Sequence, residues 1–95
     1  MELKDTIAMM TSDDYKERFK AEYQQTKIRY EKLKAFNSKI EAANRMICDP
    51  FTPVAKRAEE PKHDCPADML REQQSIMGQY LHILEVRAVI EGIDL

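Results

Sequence analysis

The chain contains few of the residues that mark particular classes of protein. Its 95 residues include two glycines, two cysteines and no tryptophan. Two glycines are too few for a glycine-rich phosphate loop, and no zinc-protease or nucleophile-elbow motif occurs. Two cysteines do not make a disulfide framework. We therefore expect a protein that is not an enzyme and that uses no cofactor.

Long apolar runs are also lacking. No segment approaches the ~20 apolar residues that a membrane-spanning helix needs. The opening MELKDTIAMM has no charged region followed by an apolar core, as a signal peptide would have. We expect a cytoplasmic protein with reduced thiols and no contact with a membrane.

The residues that are abundant favour helices. The composition is 43% hydrophobic and 34% charged, which is too apolar for disorder. The chain has the length of one domain, and a domain this small buries only a modest core. The composition therefore predicts an all-α fold that association with other copies would stabilise.

The longest helical pattern covers residues 12–47, which contain neither glycine nor proline. We predict that Thr11 or Ser12 begins this first helix, because a hydroxyl can accept a hydrogen bond from a free backbone N–H. Its apolar residues recur every three or four positions and form one stripe. The stripe consists of Tyr15, Phe19, Tyr23, Tyr30, Leu33, Phe36, Ile40, Ala43 and Ile47.

Residues 48–65 are predicted to be a connection, because Pro50 and Pro53 stop the first helix. Within this connection a short turn is possible at Val54–Ala58. Connections of this length are usually either functional or mobile.

The second helix is predicted over residues 66–91. Pro66 suits its first position, where the missing N–H costs nothing. Gly92 suits a left-handed cap, after which Ile93 can fold back on the last turn. The predicted apolar face is Met69, Leu70, Ile76, Met77, Tyr80, Leu81, Leu84, Ala88 and Ile90, and it is widened by Ile83, Val86 and Val89.

These elements predict a single domain over residues 1–95 that forms a long antiparallel two-helix hairpin. A hairpin alone leaves its apolar stripes uncovered, so either residues 1–11 add a short helix or copies pair into a helical bundle. We favour a homodimer or higher oligomer. The predicted interface residues are Phe36, Ile40, Leu70, Met77, Leu81 and Leu84.

Charge is unevenly distributed between the two helices. Residues 12–47 hold nine Lys/Arg against six Asp/Glu, whereas residues 66–95 hold two against five. The simplest interpretation is that the two helices attract each other, within a chain or between copies. An external anionic partner is the alternative.

A metal site is one interpretation of three residues in or next to the connection, namely Cys48, His63 and Cys65. Their spacing matches no zinc-finger pattern, and a structural zinc needs a fourth ligand. Unreactive thiols near the turn are the simpler interpretation. His82 lies mid-helix without a relay partner at short spacing, so we expect it at the edge of the core or on the surface.

A basic ridge is the main candidate for binding. Lys20, Lys27 and Lys34 repeat every seven residues, with Tyr23 and Tyr30 between them. Cations interleaved with aromatic rings can hold a nucleotide or a phosphate backbone. A second basic cluster lies in the connection and consists of Lys56, Arg57 and Lys62. Both sets also fit ordinary solvated surface, because glutamates lie among them.

Two segments resemble a known family. These are YKERFKAEY over residues 15–23 and CPADMLREQQSIMGQYLHILEVRAVIEGI over residues 65–93. They are similar to small helical accessory proteins of phages and prophages of gut bacteria, related to a protein of a crAss-like phage. The shared features are the Tyr-Lys-Glu-Arg opening, the Cys-Pro start and the Met-x-x-Tyr-Leu-x-x-Leu-Glu-x-Arg run. None of them is a chemical motif, so the resemblance brings no catalytic residue.

The resemblance implies a context in an infected or lysogenic bacterium. Accessory phage proteins of this size often antagonise bacterial defence, either by binding a nuclease complex or by sequestering a nucleotide signal. The partner would then be a host defence protein or a nucleotide signal. The alternatives are a self-associating structural protein and an accessory protein that binds nucleic acid.

Overall fold

The computed structural model describes residues 1–53 and 59–95. A 3₁₀ turn over Leu3–Thr6 leads into a short helix, α1 (Ile7–Met10), and two long helices follow, α2 (Tyr15–Cys48) and α3 (Ala67–Glu91). These two described ranges contain no strand, so the predicted all-α fold is confirmed. The molecule is a rod of 56 × 25 × 21 Å, in which α2 and α3 pack as a hairpin.

The start of α2 differs from the prediction. The capping residue is Asp14, whose Oδ1 accepts a hydrogen bond of 3.0 Å from the backbone N–H of Lys16. Thr11 instead ends α1, and the hydroxyl of Ser12 accepts from the backbone N–H of Asp14 in the intervening turn. The prediction of Thr11 or Ser12 as the cap was wrong, because the carboxylate of Asp14 makes the capping hydrogen bond instead.

The predicted C-terminal cap of α3 is confirmed. Gly92 lies in the left-handed region at φ 69°, and the backbone N–H of Ile93 donates to the carbonyl oxygen of Ala88 at 2.8 Å. This is the pattern of a Schellman cap. Ile93 folds back and is 7% exposed. At the other end Pro66 is the cap itself and α3 begins one residue later, at Ala67.

The main core lies at one end of the hairpin and is mostly apolar. Its buried residues are Phe19, Tyr23, Leu81, Leu84, Ala88 and Ile93. Further along α2, Ile40 and Ala43 are buried as well. Tyr15 and Ile47, placed at the two ends of the predicted stripe, are exposed instead.

The predicted apolar face of α3 divides into two. Leu81, Leu84 and Ala88 are buried, but several residues assigned to the same face point to solvent. The exposed apolar residues of α3 are Met69, Ile76, Tyr80, Ile83, Val86, Val89 and Ile90. α2 covers only one side of α3, so the apolar pattern extends past the contact with α2, as the widening by Ile83, Val86 and Val89 predicted.

Of the predicted interface residues, Ile40, Leu81 and Leu84 are buried inside the single chain. Phe36, Leu70 and Met77 are partly buried.

The N-terminal segment packs against α2 and forms a third element. Thr6 is fully buried, and its Oγ1 accepts a hydrogen bond of 2.9 Å from the side-chain amide of Gln25. The same hydroxyl donates to the carbonyl oxygen of Leu3 at 2.7 Å. The N-terminal segment, which has no large apolar face, is thus joined to α2 through the buried hydroxyl of Thr6, whose hydrogen bonds are satisfied.

Candidate functional site

A groove runs along one side of the hairpin, between the second half of α2 and the first half of α3. It has a volume of about 880 Å³, within the range of small-molecule sites. The α2 wall consists of Tyr30, Lys34, Asn37, Ser38 and Glu41. The α3 wall consists of Arg71, Gln74, Ser75, Gly78, Gln79, His82 and Ile83.

The aromatic surface of the groove comes from Tyr30. Its ring lies against Gly78, where an added Cβ would be 3.4 Å from Cε2 and 3.5 Å from the hydroxyl oxygen. A glycine in mid-helix normally weakens the helix. At these distances an added Cβ would make ordinary van der Waals contact with the ring, and Tyr30 also packs against the main core.

A buried amide joins the two walls. Asn37 is 7% exposed, and its Nδ2 donates to the carbonyl oxygen of Leu70 at 3.1 Å and to Oε1 of Gln74 at 2.9 Å. Within the described residues its Oδ1 has no hydrogen-bond partner. An unpaired buried acceptor is costly in a folded protein. Asn37 therefore marks a polar break in the contact between α2 and α3.

The charge of the groove is positive. Lys34 extends from α2 and Arg71 from α3, and no salt bridge involves either one in the part of the chain that the structure describes. The acid of the groove, Glu41, is neutralised by Arg45, whose Nη2 and Nε lie 2.8 and 3.0 Å from the same carboxylate oxygen. Two cations therefore remain for an anion.

The outer rim of the groove is formed by Gln79, His82 and Ile83 of α3. All three are exposed. The exposed position of His82 confirms that it is a surface residue. Its ring lies in the groove wall, where it can donate or accept a hydrogen bond.

The residues of the predicted basic ridge are distributed over different contacts. Nζ of Lys20 pairs with Glu17 at 3.3 Å, and Nζ of Lys27 lies 6.0 Å from the ring centroid of Tyr23. The hydroxyl of Tyr23 donates to Glu85 at 3.2 Å. Burial and the Glu85 carboxylate raise the pKa of Tyr23. Of the ridge residues, Lys34 and Tyr30 line the groove described above, whereas Tyr23, Lys27 and Tyr30 line a smaller groove that also contains Glu31 and Glu85.

The described residues of the connection cluster, Lys62 and His63, are not part of this groove. Lys56 and Arg57, with the possible turn at Val54–Ala58, lie outside the described residues, and Lys62 is exposed. His63 hydrogen-bonds through Nδ1 to the carbonyl oxygen of Cys65 at 2.6 Å and through Nε2 to Glu60 at 3.0 Å. Both bonds raise the pKa of His63.

No disulfide joins Cys48 and Cys65, since both are free thiols. Across the two described ranges no group of three or more His, Cys, Asp or Glu residues is placed to hold a metal ion.

Comparison with known proteins identifies the family. The family model named Sequestin matches residues 13–90, which is most of the chain. The chain belongs to the Sequestin family. No curated protein matches it, and no solved structure does either. The Sequestin match covers α2 and nearly all of α3, and so includes both walls of the groove.

No helix in the described parts of this Sequestin chain is long and apolar enough to cross a membrane.

Sequence reasoning found two residues of the groove, Lys34 and Tyr30, and missed most of the α3 wall. Arg71 was not among the predicted binding residues, because it is one of two basic residues in an acidic helix and belongs to no basic cluster. Asn37 interrupts the apolar stripe of α2, and Gln74 lies one turn beyond Leu70 on the facing helix. A polar residue at a core position on each helix was the signal that the two belong together.

Proposed function

We propose that this protein is a non-enzymatic binding protein that sequesters an anionic ligand of the nucleotide class in the groove between α2 and α3. One observation carries the proposal. Two cations without acidic partners, Lys34 and Arg71, line a groove whose surface includes the aromatic ring of Tyr30.

Each part of a nucleotide has a matching group there. Lysine and arginine hold phosphate oxygens through charge-assisted hydrogen bonds, which are about twice as strong as neutral ones. An aromatic face stacks on a base, and this contributes ~1–3 kcal/mol. The side-chain amides of Gln74 and Gln79 can donate to and accept from base edges or ribose hydroxyls.

Sequestration accounts for the site better than turnover does. The groove offers charge, a stacking surface and amides, which are groups that hold a ligand. The name of the family denotes sequestration, and the proposal extends that meaning to this chain. A protein that only holds its ligand acts by stoichiometry, so each copy must bind tightly and release slowly.

The biological role that we propose is antagonism of a bacterial defence system by removal of its nucleotide signal. This step rests on the resemblance of residues 15–23 and 65–93 to phage and prophage accessory proteins. The proposed role implies that the protein acts in the cytoplasm of an infected or lysogenic host, where such signals are made. The same protein would associate with itself.

A thermal-shift screen tests ligand binding directly. The panel contains cyclic AMP, cyclic di-AMP, cyclic di-GMP, ATP and inorganic phosphate. A ligand that binds only the folded state raises Tm, and at a hundred times its Kd it adds ~2.7 kcal/mol of stability. Chromatography of the ligand after the protein is denatured should return it chemically unchanged.

Matched variants locate the site. Lys34→Ala and Arg71→Ala should each weaken binding at least ~10-fold, because each removes a hydrogen bond from a charged donor worth ~1.5–3 kcal/mol. Lys39→Ala is the control, since Lys39 is an exposed cation of α2 outside the groove. The proposal is wrong if no panel member shifts Tm, if Lys34→Ala binds like the control, or if the ligand is consumed.

A phage-protection assay tests the role. Wild-type protein should restore phage growth in bacteria with a nucleotide-signalling defence, and the Lys34→Ala/Arg71→Ala double variant should not. Equal activity of the two proteins would indicate a different target, such as a nuclease complex. A nucleic-acid partner would show itself by affinity that falls steeply with salt across all sequences.

A further inference from the structure

The second apolar face of α3 has no cover within residues 1–53 and 59–95. Met69, Ile76, Ile83 and Ile90 recur every seven residues and are 55–77% exposed. Tyr80 lies in the same row and is held in place, because its hydroxyl donates to Glu22 of α2. Exposed apolar residues at heptad spacing along 22 residues of a helix are typical of an interface rather than of scattered surface residues.

We propose that a second copy of this chain covers the row, with the two α3 helices antiparallel and the two-fold axis between Gln79 and Tyr80. In this register Met69 faces Ile90 of the second copy, and Ile76 faces Ile83. The row is therefore complementary to itself when reversed. Every apolar residue that recurs at seven-residue spacing meets another apolar residue.

Charge selects the same arrangement. The register places Glu72 opposite Arg87 of the second copy, twice by symmetry. In a parallel pair each of these residues would instead meet its own equivalent, so that like charges would lie together. The guanidinium carbon of Arg87 lies 4.9 Å from the ring centroid of Phe19, and its Nε lies 2.8 Å from Glu91. Arg87 is thus fixed at the edge of the row, with further donors available.

The row borders the groove. Ile83 belongs to both, and Gln79 and His82 form the adjoining rim. A two-fold axis perpendicular to two antiparallel helices places the same flank of each helix on the same side of the dimer. Both grooves therefore open on one side of the dimer, next to each other and to the axis.

The rim of each groove then continues onto the other copy. The consequence, which rests on the proposed function, is that the anionic ligand is held between two chains. The site of a single chain is open on its outer side, where Gln79, His82 and Ile83 are exposed.

Disulfide cross-linking tests the register. In a Cys48→Ser/Cys65→Ser background, Ile76→Cys with Ile83→Cys should form a covalent dimer on mild oxidation. The two positions on one helix are ~10.5 Å apart along its axis, too far to join within a chain. Ile76→Cys with Ile90→Cys is the control, since these positions meet only in a different register. Cross-linking of the control but not of the first pair would overturn the proposed register.

A charge exchange tests the pairing independently. Glu72→Arg and Arg87→Glu should each reduce the dimer fraction in light scattering, because each places like charges together. An equimolar mixture of the two variants should restore the dimer, since both contacts become opposite in sign. Circular dichroism checks that each variant is folded. A wild-type dimer whose two variants stay apart when mixed would contradict the pairing.

One further variant separates this inference from the proposed function. Ile76→Lys changes a row residue that lies outside the groove. The variant should be a monomer, and its apparent Kd for the nucleotide, obtained from the thermal shift, should be at least ~10-fold higher than that of wild type. A wild-type monomer that still binds a nucleotide would refute the dimer and leave the proposed function intact. A wild-type dimer that binds none of the panel, together with the expected cross-link in the cysteine variant, would refute the function alone. A monomeric Ile76→Lys with undiminished binding would refute the shared site.

Discussion

The two halves of the hairpin are formed by the same pair of helices and differ in what lies between them. In the closed half, around Phe19 and Leu84, the contact is apolar and buried. In the open half, around Asn37 and Gln74, a buried amide interrupts the apolar contact, which Ile40 and Ala43 continue, and the groove lies beside it. Each helix runs from one half to the other without interruption.

The difference separates stability from binding. Apolar burial in the closed half supplies the main free energy of folding. Polar groups in the open half contribute less to stability, and they remain available for a ligand because they are not packed against another apolar surface. The groove thus lies in the half of the hairpin whose helix contact includes a buried amide.

The largest expected effect is in the closed half. Leu84→Ala should lower the free energy of unfolding by about 2–5 kcal/mol, because Leu84 is 1% exposed and a cavity would remain. Chemical denaturation measures it. Val89→Ala, on the same helix but 84% exposed, should change stability by less than ~0.5 kcal/mol. Equal effects of the two variants would mean that the closed half is not the core.

The next effect concerns the amide of the open half. Asn37→Ala should cost about 1–2 kcal/mol, because it removes the hydrogen bonds to Gln74 and to the carbonyl of Leu70. Ser38→Ala, its exposed neighbour, is the matched control and should be near neutral. A loss for Asn37→Ala as large as that for Leu84→Ala would erase the distinction between the two halves.

A smaller effect tests the polar contact at the edge of the closed half. Tyr23→Phe removes the hydrogen bond to Glu85 and should cost about 0.5–1.5 kcal/mol. The folded-state pKa of Tyr23 is raised above 10.0, so its contribution is complete below that pH and is lost as pH rises through the folded value. The stability of wild type should therefore fall more steeply than that of Tyr23→Phe in strongly alkaline solution. Parallel curves would show that this bond is absent in solution.

The smallest effect lies beyond the open half, at His63. Its folded-state pKa is raised above 6.5 by its bonds to Glu60 and to the carbonyl of Cys65. The contribution is therefore complete below pH 6.5 and is lost as pH rises through the folded value. Tm measured across neutral pH should decline slightly more in wild type than in Glu60→Gln. The same slope in both proteins would rule out the contact.

The helices of this protein were predictable because their signals are local. The period of the apolar residues and the cap at Gly92 are read from neighbouring positions, and both are confirmed. The start of α2 was misplaced because Thr11, Ser12 and Asp14 are all suitable caps. A choice among equal local signals depends on how the preceding turn packs.

The groove was predictable only in part. Lys34 and Tyr30 belong to a regular repeat, and the repeat was visible. Arg71 and Gln74 became part of the site because the hairpin brings residues more than thirty positions apart into contact, as the bond from Asn37 to Gln74 shows. The sequence pattern alone does not specify which residues lie opposite each other.

The sequence by itself determined that the chain is helical, where its long helices end and that α3 has more apolar surface than one neighbour can cover. The tertiary structure decided which of those apolar residues are buried and which cations share a groove. The physical reason is that helix formation depends on hydrogen bonds four residues apart. The pairing of two helices depends instead on the relative rotation and shift that bury the best-fitting sides.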